Sequence, residues 1–206
     1  MYQYEHKLLK NGYKYICGVD EAGRGPLAGP VVAGAVILNP DVTIEGLNDS
    51  KQLSEKTRNH LAEAIRKQAL AYSVAFISNE MIDEINIYQA SKLAMMEAIK
   101  GLSIQPDYIL SDAMPLKEQD IPFEAIIKGD CLSASIAAGS ILAKVARDEY
   151  MVRMASVYPG FDFEQNKGYP TKKHLQALDH LGITPIHRKT YHPVQQVLEK
   201  QLTLDL

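Results

Sequence analysis

The 206-residue sequence has no tryptophan, only two cysteines and no long apolar run. Cys17 and Cys131 lie far apart and form neither a CxxC pair nor a disulfide framework, which fits a reducing compartment. No stretch approaches the roughly 18 apolar residues needed to span a bilayer, and residues 1–10 are polar. We therefore expect a soluble, cytoplasmic protein that does not bind membranes.

The overall charge is slightly acidic, but one region is basic. The formal net charge is −3, which does not favour general attraction to nucleic acid. Residues 166–192 nevertheless carry five Lys or Arg side chains against one Asp, a local charge of +4. With two bound divalent ions the total would become +1. The acidic average therefore does not exclude a polyanionic substrate.

The chain alternates apolar, β-branched segments with amphipathic ones. The pattern predicts strands over residues 13–20, 30–38, 71–77, 107–112 and 123–127, and helices over 54–68, 87–100, 133–157, 171–182 and 193–204. This order predicts an α/β fold with a mixed central sheet flanked by helices. We expect one domain over residues 1–206, with an α/β core over about 13–157 and a C-terminal helical extension over about 158–206.

Acidic residues follow three of the predicted strands. Asp20 and Glu21 end the first strand, whereas Asp112 and Asp130 end or follow two later ones. In an α/β sheet such positions meet at one edge, and adjacent carboxylates persist where a cation offsets their repulsion. Taken alone, Asp112 and Asp130 are more often turn residues. Taken together, the four acids indicate an all-oxygen site for Mg²⁺ or Mn²⁺.

The glycine-rich segment after the first strand has an alternative interpretation. Residues 23–28 fit the G-x-G-x-x-A pattern of dinucleotide-binding folds. In those folds the glycines open a helix, whereas here a second predicted strand follows. The strand–turn–strand context therefore disfavours a dinucleotide site.

Several segments together resemble bacterial ribonuclease HII over nearly the whole chain. They are residues 18–26, 49–51, 128–130, 137–148, 168–171 and 184–188. The resemblance implies a ribonuclease H-like fold and an endonuclease that hydrolyses the RNA strand of RNA–DNA hybrids. It also implies nicking on the 5′ side of single ribonucleotides in duplex DNA, leaving 5′-phosphate and 3′-hydroxyl ends, for removal of ribonucleotides. Two departures are Ala113, where many members have glycine, and Gly139, where many have alanine.

The resemblance also implies roles for particular residues. Asp20, Glu21, Asp112 and Asp130 would be catalytic and hold two ions of Mg²⁺ or Mn²⁺. Recognition of the ribose 2′-hydroxyl would use backbone groups of Gly23, Arg24 and Gly25, together with Tyr169 at the ribose and its neighbouring deoxyribose. The C-terminal part would bind substrate.

Basic side chains are candidates for contacts to the phosphate backbone. These are Lys51, Lys144, Lys172 and Arg188. For each, a solvated helix face or an ion pair is the competing interpretation, and Lys144 has Asp148 four residues further on. Among the histidines, His174 is the best substrate candidate, and the others are expected at the surface.

Two other functions are weighed. Ribonuclease HIII shares the fold but adds an N-terminal substrate-binding domain, which the short polar segment before Tyr13 disfavours. A non-catalytic nucleic-acid-binding module would be expected to lack some of the four acids. We expect a monomer. Residues 195–206 could contact a sliding clamp, but an ordinary terminal helix is the favoured interpretation.

Overall fold

A mixed sheet forms the centre of this computed structural model, which describes residues 1–118 and 120–204. Its strands are β1 (Ile16–Ala22), β2 (Val31–Ile37), β3 (Ala71–Ile77), β4 (Tyr108–Asp112) and β5 (Phe123–Ile126). The order across the sheet is β3-β2-β1-β4-β5, with β1 antiparallel to β2 and parallel to β4. The predicted mixed sheet is confirmed. Since the glycine-rich segment joins β1 to an antiparallel strand, the dinucleotide-binding alternative is excluded.

Helices cover both faces of this sheet. They are α1 (Gln3–Lys10), α2 (Glu55–Gln68), α3 (Asn79–Lys100), α4 (Gly129–Leu132), α5 (Ala134–Val157), α6 (Phe163–Asn166), α7 (Lys172–Leu181) and α8 (His192–Leu204). Helix α3 packs with the apolar side chains of one face, and α2 and α5 pack with those of the other. The predicted α/β class with flanking helices is therefore confirmed.

Side-chain caps explain why three helices begin where the sequence predicts. Ser54, Ser133 and Thr171 each precede a helix and accept a hydrogen bond from the backbone N–H three residues on. Such a cap satisfies a donor that the helix leaves unpaired and contributes about 1 kcal/mol. The starts of α2, α5 and α7 are thus local properties of the sequence.

Three short helices, α1, α4 and α6, were not predicted. Helix α1 depends on a distant contact: the Oε1 atom of buried Glu5 accepts from the Ser135 backbone N–H at 2.9 Å and from the Ser133 and Ser135 hydroxyls. Glu5 thereby caps the start of α5, while Leu8 is buried beside it. Helices this short are marginal without tertiary contacts, so periodicity alone does not predict them.

Helix α3 begins eight residues earlier than predicted because it contains a kink. Asn86 has φ 66° and ψ 164°, which is not helical. Its Oδ1 atom accepts from the Tyr88 and Gln89 backbone N–H groups, at 3.0 and 3.2 Å. Asn86 therefore caps the second part of the helix, which starts at residue 87 as predicted.

The approach of α5 to the sheet depends on glycine. A Cβ atom on Gly18 would lie 2.0 Å from the Ser135 carbonyl carbon, and one on Gly34 would lie 2.3 Å from the Gly139 carbonyl oxygen. One on Gly139 would lie 2.5 Å from the Gly34 carbonyl oxygen. Gly139 therefore serves close packing, because no side chain fits between these backbones.

The C-terminal part packs against the segment that joins β1 to β2. Leu27 and Ala28 share a buried cluster with Phe161, Phe163 and Val194. The division at residue 157 into a core and a substrate-binding part stays a prediction. Among the described residues, no helix is both long and apolar enough to cross a bilayer.

Replacing Gly18 with alanine is expected to lower the free energy of unfolding by about 3 kcal/mol, because α5 must move away from β1. Gly12→Ala is the control: Gly12 has φ 96° but open space around its Cα. This control should cost only about 1 kcal/mol of backbone strain. Urea unfolding of both variants measures the difference; equal losses would contradict the packing argument.

Candidate active site

Four acidic side chains meet at the edge of the sheet where β1 and β4 end. Asp20 and Glu21 lie near the end of β1, and Asp112 is the last residue of its parallel neighbour β4. Asp130 follows β5 in the first turn of α4. The carboxylates of Asp20, Asp112 and Asp130 each offer an oxygen within 4.8 Å of the other two. The structure thus brings these three together, as the strand-end argument predicts.

Glu21 lies beside this group and has a different environment. Its Oε1 atom is 3.3 Å from Nη1 of Arg24. Its Oε2 atom is buried and has no hydrogen-bond partner among the described residues. A buried carboxylate oxygen without a partner is costly unless a ligand satisfies it. Glu21 is therefore equipped to bind a cation that the protein chain does not itself supply.

Backbone and hydroxyl groups hold the carboxylates in place. The Gly129 backbone N–H donates to Asp112 Oδ1 at 2.8 Å. Asp20 accepts from the next backbone N–H at 2.7 Å and also hydrogen-bonds the Ser140 side chain of α5. The Ser140 hydroxyl in turn lies 3.0 Å from that of Ser50. The carboxylate positions are thus set by β1, β4 and α5 together.

Two residues beside the carboxylates have left-handed backbone angles. Ala113 has φ 52° and Lys128 has φ 57°. This region costs a residue with a Cβ atom about 1–2 kcal/mol. The strain gives a physical reason for the glycine that the family resemblance leads one to expect at position 113. Ala113 retains the same turn at some cost in stability.

Burial and repulsion from acidic neighbours raise the pKa values of Asp20, Glu21 and Asp112. Burial raises the pKa of Asp20 well above its ordinary value, and the nearby Glu21 and Asp112 raise it further. Burial also raises the pKa of Glu21, against the opposing effect of Arg24. The pKa of Asp112 is raised by burial and by its acidic neighbours, despite the backbone N–H that it accepts. Without a cation, these three carboxyl groups therefore favour bound protons.

The chemistry of the cluster suits a hard divalent cation, since its ligands are carboxylate oxygens. Lys51 supplies positive charge at the rim, with Nζ 3.8 Å from Asp130 Oδ2. Cys131 forms a second group with Asp49 and Asp130. Burial and then Asp130 raise the pKa of its thiol, so Cys131 favours the neutral form, which is a poor metal ligand.

The glycine turn, which is the segment 23–30 between β1 and β2, lies beside Tyr169. A Cβ atom on Gly25 would be 3.5 Å from Cε1 of the Tyr169 ring, and the Leu27 N–H donates to the Gly168 carbonyl at 2.8 Å. The Tyr169 side chain remains partly exposed, as does that of Arg24. Arg24, Gly25 and Tyr169 therefore share one surface beside the carboxylates of β1, whereas Gly23, also predicted to read the ribose, is buried.

Arg188 differs from the prediction of a phosphate contact. It is fully buried and donates to the backbone carbonyls of Gly23, Arg24, Gly29 and Pro30 at 2.6–3.2 Å. These bonds satisfy its guanidinium inside the protein, so it is not placed to contact a phosphate. The structure gives Arg188 the task of holding the glycine turn in shape.

Arg147 also holds backbone carbonyls from inside the protein, a role that was not predicted from the sequence. It is 1% exposed and donates to the carbonyls of Ala28, Pro30 and Lys167, each at 3.0 Å. Burial, and then Arg188, lower the pKa of this guanidinium to about 10. Its membership of the 137–148 motif was the available signal, but residue type alone did not distinguish a buried arginine from a surface one.

The other basic candidates are accessible to different degrees. Lys144 is half-buried and lies 2.5 Å from Asp148, so the ion pair weighed from their spacing is present. Lys51 and Lys172 are exposed. Contacts from these three lysines to phosphate stay predictions.

The histidine assignments were wrong for two residues, whereas His6, His60, His180 and His192 are exposed as expected. His174, the expected substrate residue, and His187, expected at the surface, are both fully buried. Their Nε2 atoms lie 3.0 Å apart, and the rings pack with Phe161 and Phe163. They cannot touch a substrate directly in this arrangement.

A mixed sheet with carboxylates at the ends of neighbouring strands, beside a glycine turn, defines an α/β protein with a candidate divalent-metal centre. The family model for ribonuclease HII matches residues 17–194. A ribonuclease HII from Listeria monocytogenes serovar 1/2a (strain ATCC BAA-679 / EGD-e) is 56% identical over 196 residues, covering 95% of this chain and 75% of the relative. The chain belongs to the ribonuclease HII family.

Solved structures agree with this assignment. The crystal structure of ribonuclease H2 from Pyrococcus horikoshii OT3 has a TM-score of 0.77 and 26% identity, covering 91% of this chain and 98% of the other. The ribonuclease HII of Archaeoglobus fulgidus, solved in complex with PCNA, has a TM-score of 0.73 and 28% identity, with coverages of 88% and 96%. The predicted resemblance and ribonuclease H-like fold are confirmed, and the chain is a ribonuclease H-type endonuclease.

In chelator, the raised carboxyl pKa values predict a specific pH dependence. The folded protein binds more protons than the unfolded one, so its stability should fall as pH rises above the ordinary carboxyl range. Asp20→Asn should weaken this dependence, measured as the unfolding temperature against pH.

Mn²⁺ should raise the unfolding temperature of the unaltered protein at neutral pH and raise that of the Asp20→Asn variant less. An equal Mn²⁺ effect in both proteins would remove Asp20 from the metal site.

Proposed function

We propose that this endonuclease hydrolyses the RNA strand of RNA–DNA hybrids and nicks duplex DNA on the 5′ side of single ribonucleotides. The products would carry 5′-phosphate and 3′-hydroxyl ends, and the reaction would serve the removal of ribonucleotides from DNA by an enzyme of the cytoplasm. The observation that carries the proposal is the cluster of buried carboxylates next to the glycine turn and Tyr169. A non-catalytic binding module would have no need for so costly a cluster.

We infer that Asp20, Glu21, Asp112 and Asp130 hold two divalent ions, either Mg²⁺ or Mn²⁺. When bound, such ions lower the pKa of a coordinated water and stabilise the charge on the departing oxygen. The contribution of the chain is to present carboxylates from rigid strands and to limit their movement through Ser140 and Gly129. No histidine base is required, which agrees with the burial of His174 and His187.

The glycine turn and Tyr169 would provide selectivity for a ribonucleotide. Arg188 and Arg147 bond carbonyls of this turn from inside and thereby fix its path. A backbone held in this way can approach a 2′-hydroxyl closely, and a ring beside it can stack on the adjoining sugar or base. Selectivity would thus come from shape at the junction between RNA and DNA.

Two kinds of partner contact are proposed, to the nucleic-acid backbone and to a sliding clamp. Lys51, Lys172 and Lys144 would position the sugar–phosphate backbone without reading sequence. The ribonuclease HII of Archaeoglobus fulgidus was solved in complex with PCNA, which supports a sliding-clamp contact in general; for residues 195–206 an ordinary terminal helix was the favoured interpretation, and a clamp contact the alternative. That hypothesis includes Asp205 and Leu206, which lie outside the described residues, and it stays a prediction, as does the monomeric state.

The test is cleavage of a labelled DNA duplex that contains one ribonucleotide, with Mg²⁺, Mn²⁺ or chelator. We expect a metal-dependent nick on the 5′ side of the ribonucleotide, and none in an all-DNA duplex. Cutting of long hybrids alone would contradict the single-ribonucleotide activity.

Asp112→Asn should lower cleavage by about 100-fold or more while hybrid binding is largely kept. Full activity in this variant would remove Asp112 from the catalytic set.

Tyr169→Ala should reduce nicking at a single ribonucleotide by about tenfold, with a smaller effect on duplex binding. Tyr88 offers a matched control, because its exposure of 42% is close to the 41% of Tyr169 and it lies on α3. Tyr88→Ala should leave both quantities unchanged. Equal nicking by the Tyr169 variant and the unaltered protein would exclude a junction role.

A further inference from the structure

The buried pair His174 and His187 links the turn that carries Tyr169 to the segment 184–188. The Nε2 atoms lie 3.0 Å apart. On one side, His174 Nδ1 is 2.9 Å from the Tyr169 carbonyl oxygen. On the other, His187 Nδ1 is 2.8 Å from both the backbone nitrogen and the hydroxyl of Thr184. A continuous line of hydrogen bonds thus runs from Thr184 to Tyr169.

The partners at the two ends determine where the protons lie. The Thr184 N–H can only donate, so His187 Nδ1 accepts and the proton of this ring is on Nε2. That proton is donated to His174 Nε2. The remaining proton of His174 is therefore on Nδ1 and is donated to the Tyr169 carbonyl, which can only accept. Each ring has a single tautomer that satisfies the whole line.

The surroundings keep this pair neutral. Phe161 and Phe163 pack against both rings. Burial lowers the pKa of His174, and burial together with His174 lowers the pKa of His187 to about 3. A second proton would also place two N–H groups against each other at the Nε2 contact. The arrangement consequently stays intact over the ordinary working range of pH.

The turn that carries Tyr169 needs such an anchor. Lys167 and Gly168 have φ angles of 51° and 85°, both left-handed. Asn166 holds the start of the turn through its Oδ1, which accepts from the Gly168 N–H at 2.7 Å, and its carbonyl accepts from the Tyr169 N–H at 2.9 Å. The Tyr169 carbonyl accepts from Thr171 N as well as His174. The histidine line connects this turn directly to the 184–188 segment.

We propose that His174 and His187 are positioning residues that set Tyr169 for reading the ribonucleotide junction. The proposal rests on the function proposed above. Arg188 supports this proposal. It follows His187 in the chain, and its guanidinium donates to the carbonyls of Gly23 and Arg24 in the glycine turn. Residues 184–188 thereby fix the position of Tyr169 relative to the glycine turn, and hence the shape of the proposed ribose site.

A double-substitution cycle tests whether the pair acts through Tyr169. His187→Phe keeps an aromatic ring but removes the hydrogen bonds of the imidazole to His174 and to the backbone N–H and hydroxyl of Thr184. We expect it to reduce kcat for a single-ribonucleotide nick by about tenfold, and to reduce cleavage of a long hybrid less. In a Tyr169→Ala background it should cause no further loss. The same additional loss in that background would overturn the proposal and make the pair an ordinary part of the core.

Conservative variants provide a second measurement. His174→Asn retains an amide N–H that can reach the Tyr169 carbonyl, whereas His174→Leu has no donor. We expect nicking by His174→Asn to exceed that by His174→Leu by several-fold at equal folded fraction, measured by thermal unfolding. Equal activities would contradict positioning through this hydrogen bond. These variants apply even where His187→Phe fails to fold.

Hydrogen exchange separates this proposal from the proposed function. In the protein with His187→Phe, the Tyr169 and Thr171 amides should exchange about tenfold faster, while amides in the middle of α2 should not change. Unchanged exchange at Tyr169 and Thr171 would overturn the positioning role whatever the enzyme cleaves. If exchange is faster in the variant but the unaltered protein does not nick at a ribonucleotide, the positioning role stands and the proposed substrate is wrong.

Discussion

Repulsion among carboxylates buried at one edge of the sheet is the constraint on which the rest of the structure depends. Asp20 and Asp130 are 2% and 5% exposed, so water cannot screen them as it screens surface charges. Such groups stay together only if their backbones cannot move apart. β1 and β4 are adjacent parallel strands, and α5 is pressed onto β1 where Gly18 leaves no room for a side chain. The closest packing therefore lies next to the most unfavourable electrostatics.

Buried arginines solve a related problem in the turn between β1 and β2. The carbonyl groups of this turn point inward, where unpaired oxygens would be costly. Arg188 and Arg147 each supply several donors in a planar fork, and together they satisfy the carbonyls of Gly23, Arg24, Ala28, Gly29 and Pro30. Because one rigid side chain bonds several carbonyls at once, the path of the turn is defined without a regular strand or helix. A lysine could not replace either arginine in this role.

Local signals account for the parts of the fold and site that the sequence predicts well. Ser54 and Thr171 mark helix starts through caps within their own segments, and Asp20 lies near the end of a strand whose apolar residues identify it. The parts that were missed depend on distant contacts: α1 is tied down by Glu5 bonding at the start of α5, and Arg188 is buried by the turn it holds. Residue type gives charge and hydrogen-bonding capacity. It does not give burial, which is a property of the whole packed chain.

The burial of Arg188, His174 and His187 also changes the electrostatic interpretation of residues 166–192. The local charge of +4 counted Arg188 as available to a polyanion, yet its donors are bonded to backbone carbonyls. The accessible positive charge of this region resides instead in lysines such as Lys172. With fewer cations facing the substrate, affinity for the phosphate backbone would be modest, and discrimination would depend on the fit of a ribose between the glycine turn and Tyr169. An enzyme with the proposed activity on single ribonucleotides in DNA would gain from this division, because strong attraction to every phosphate would hold it on sites that it cannot cut.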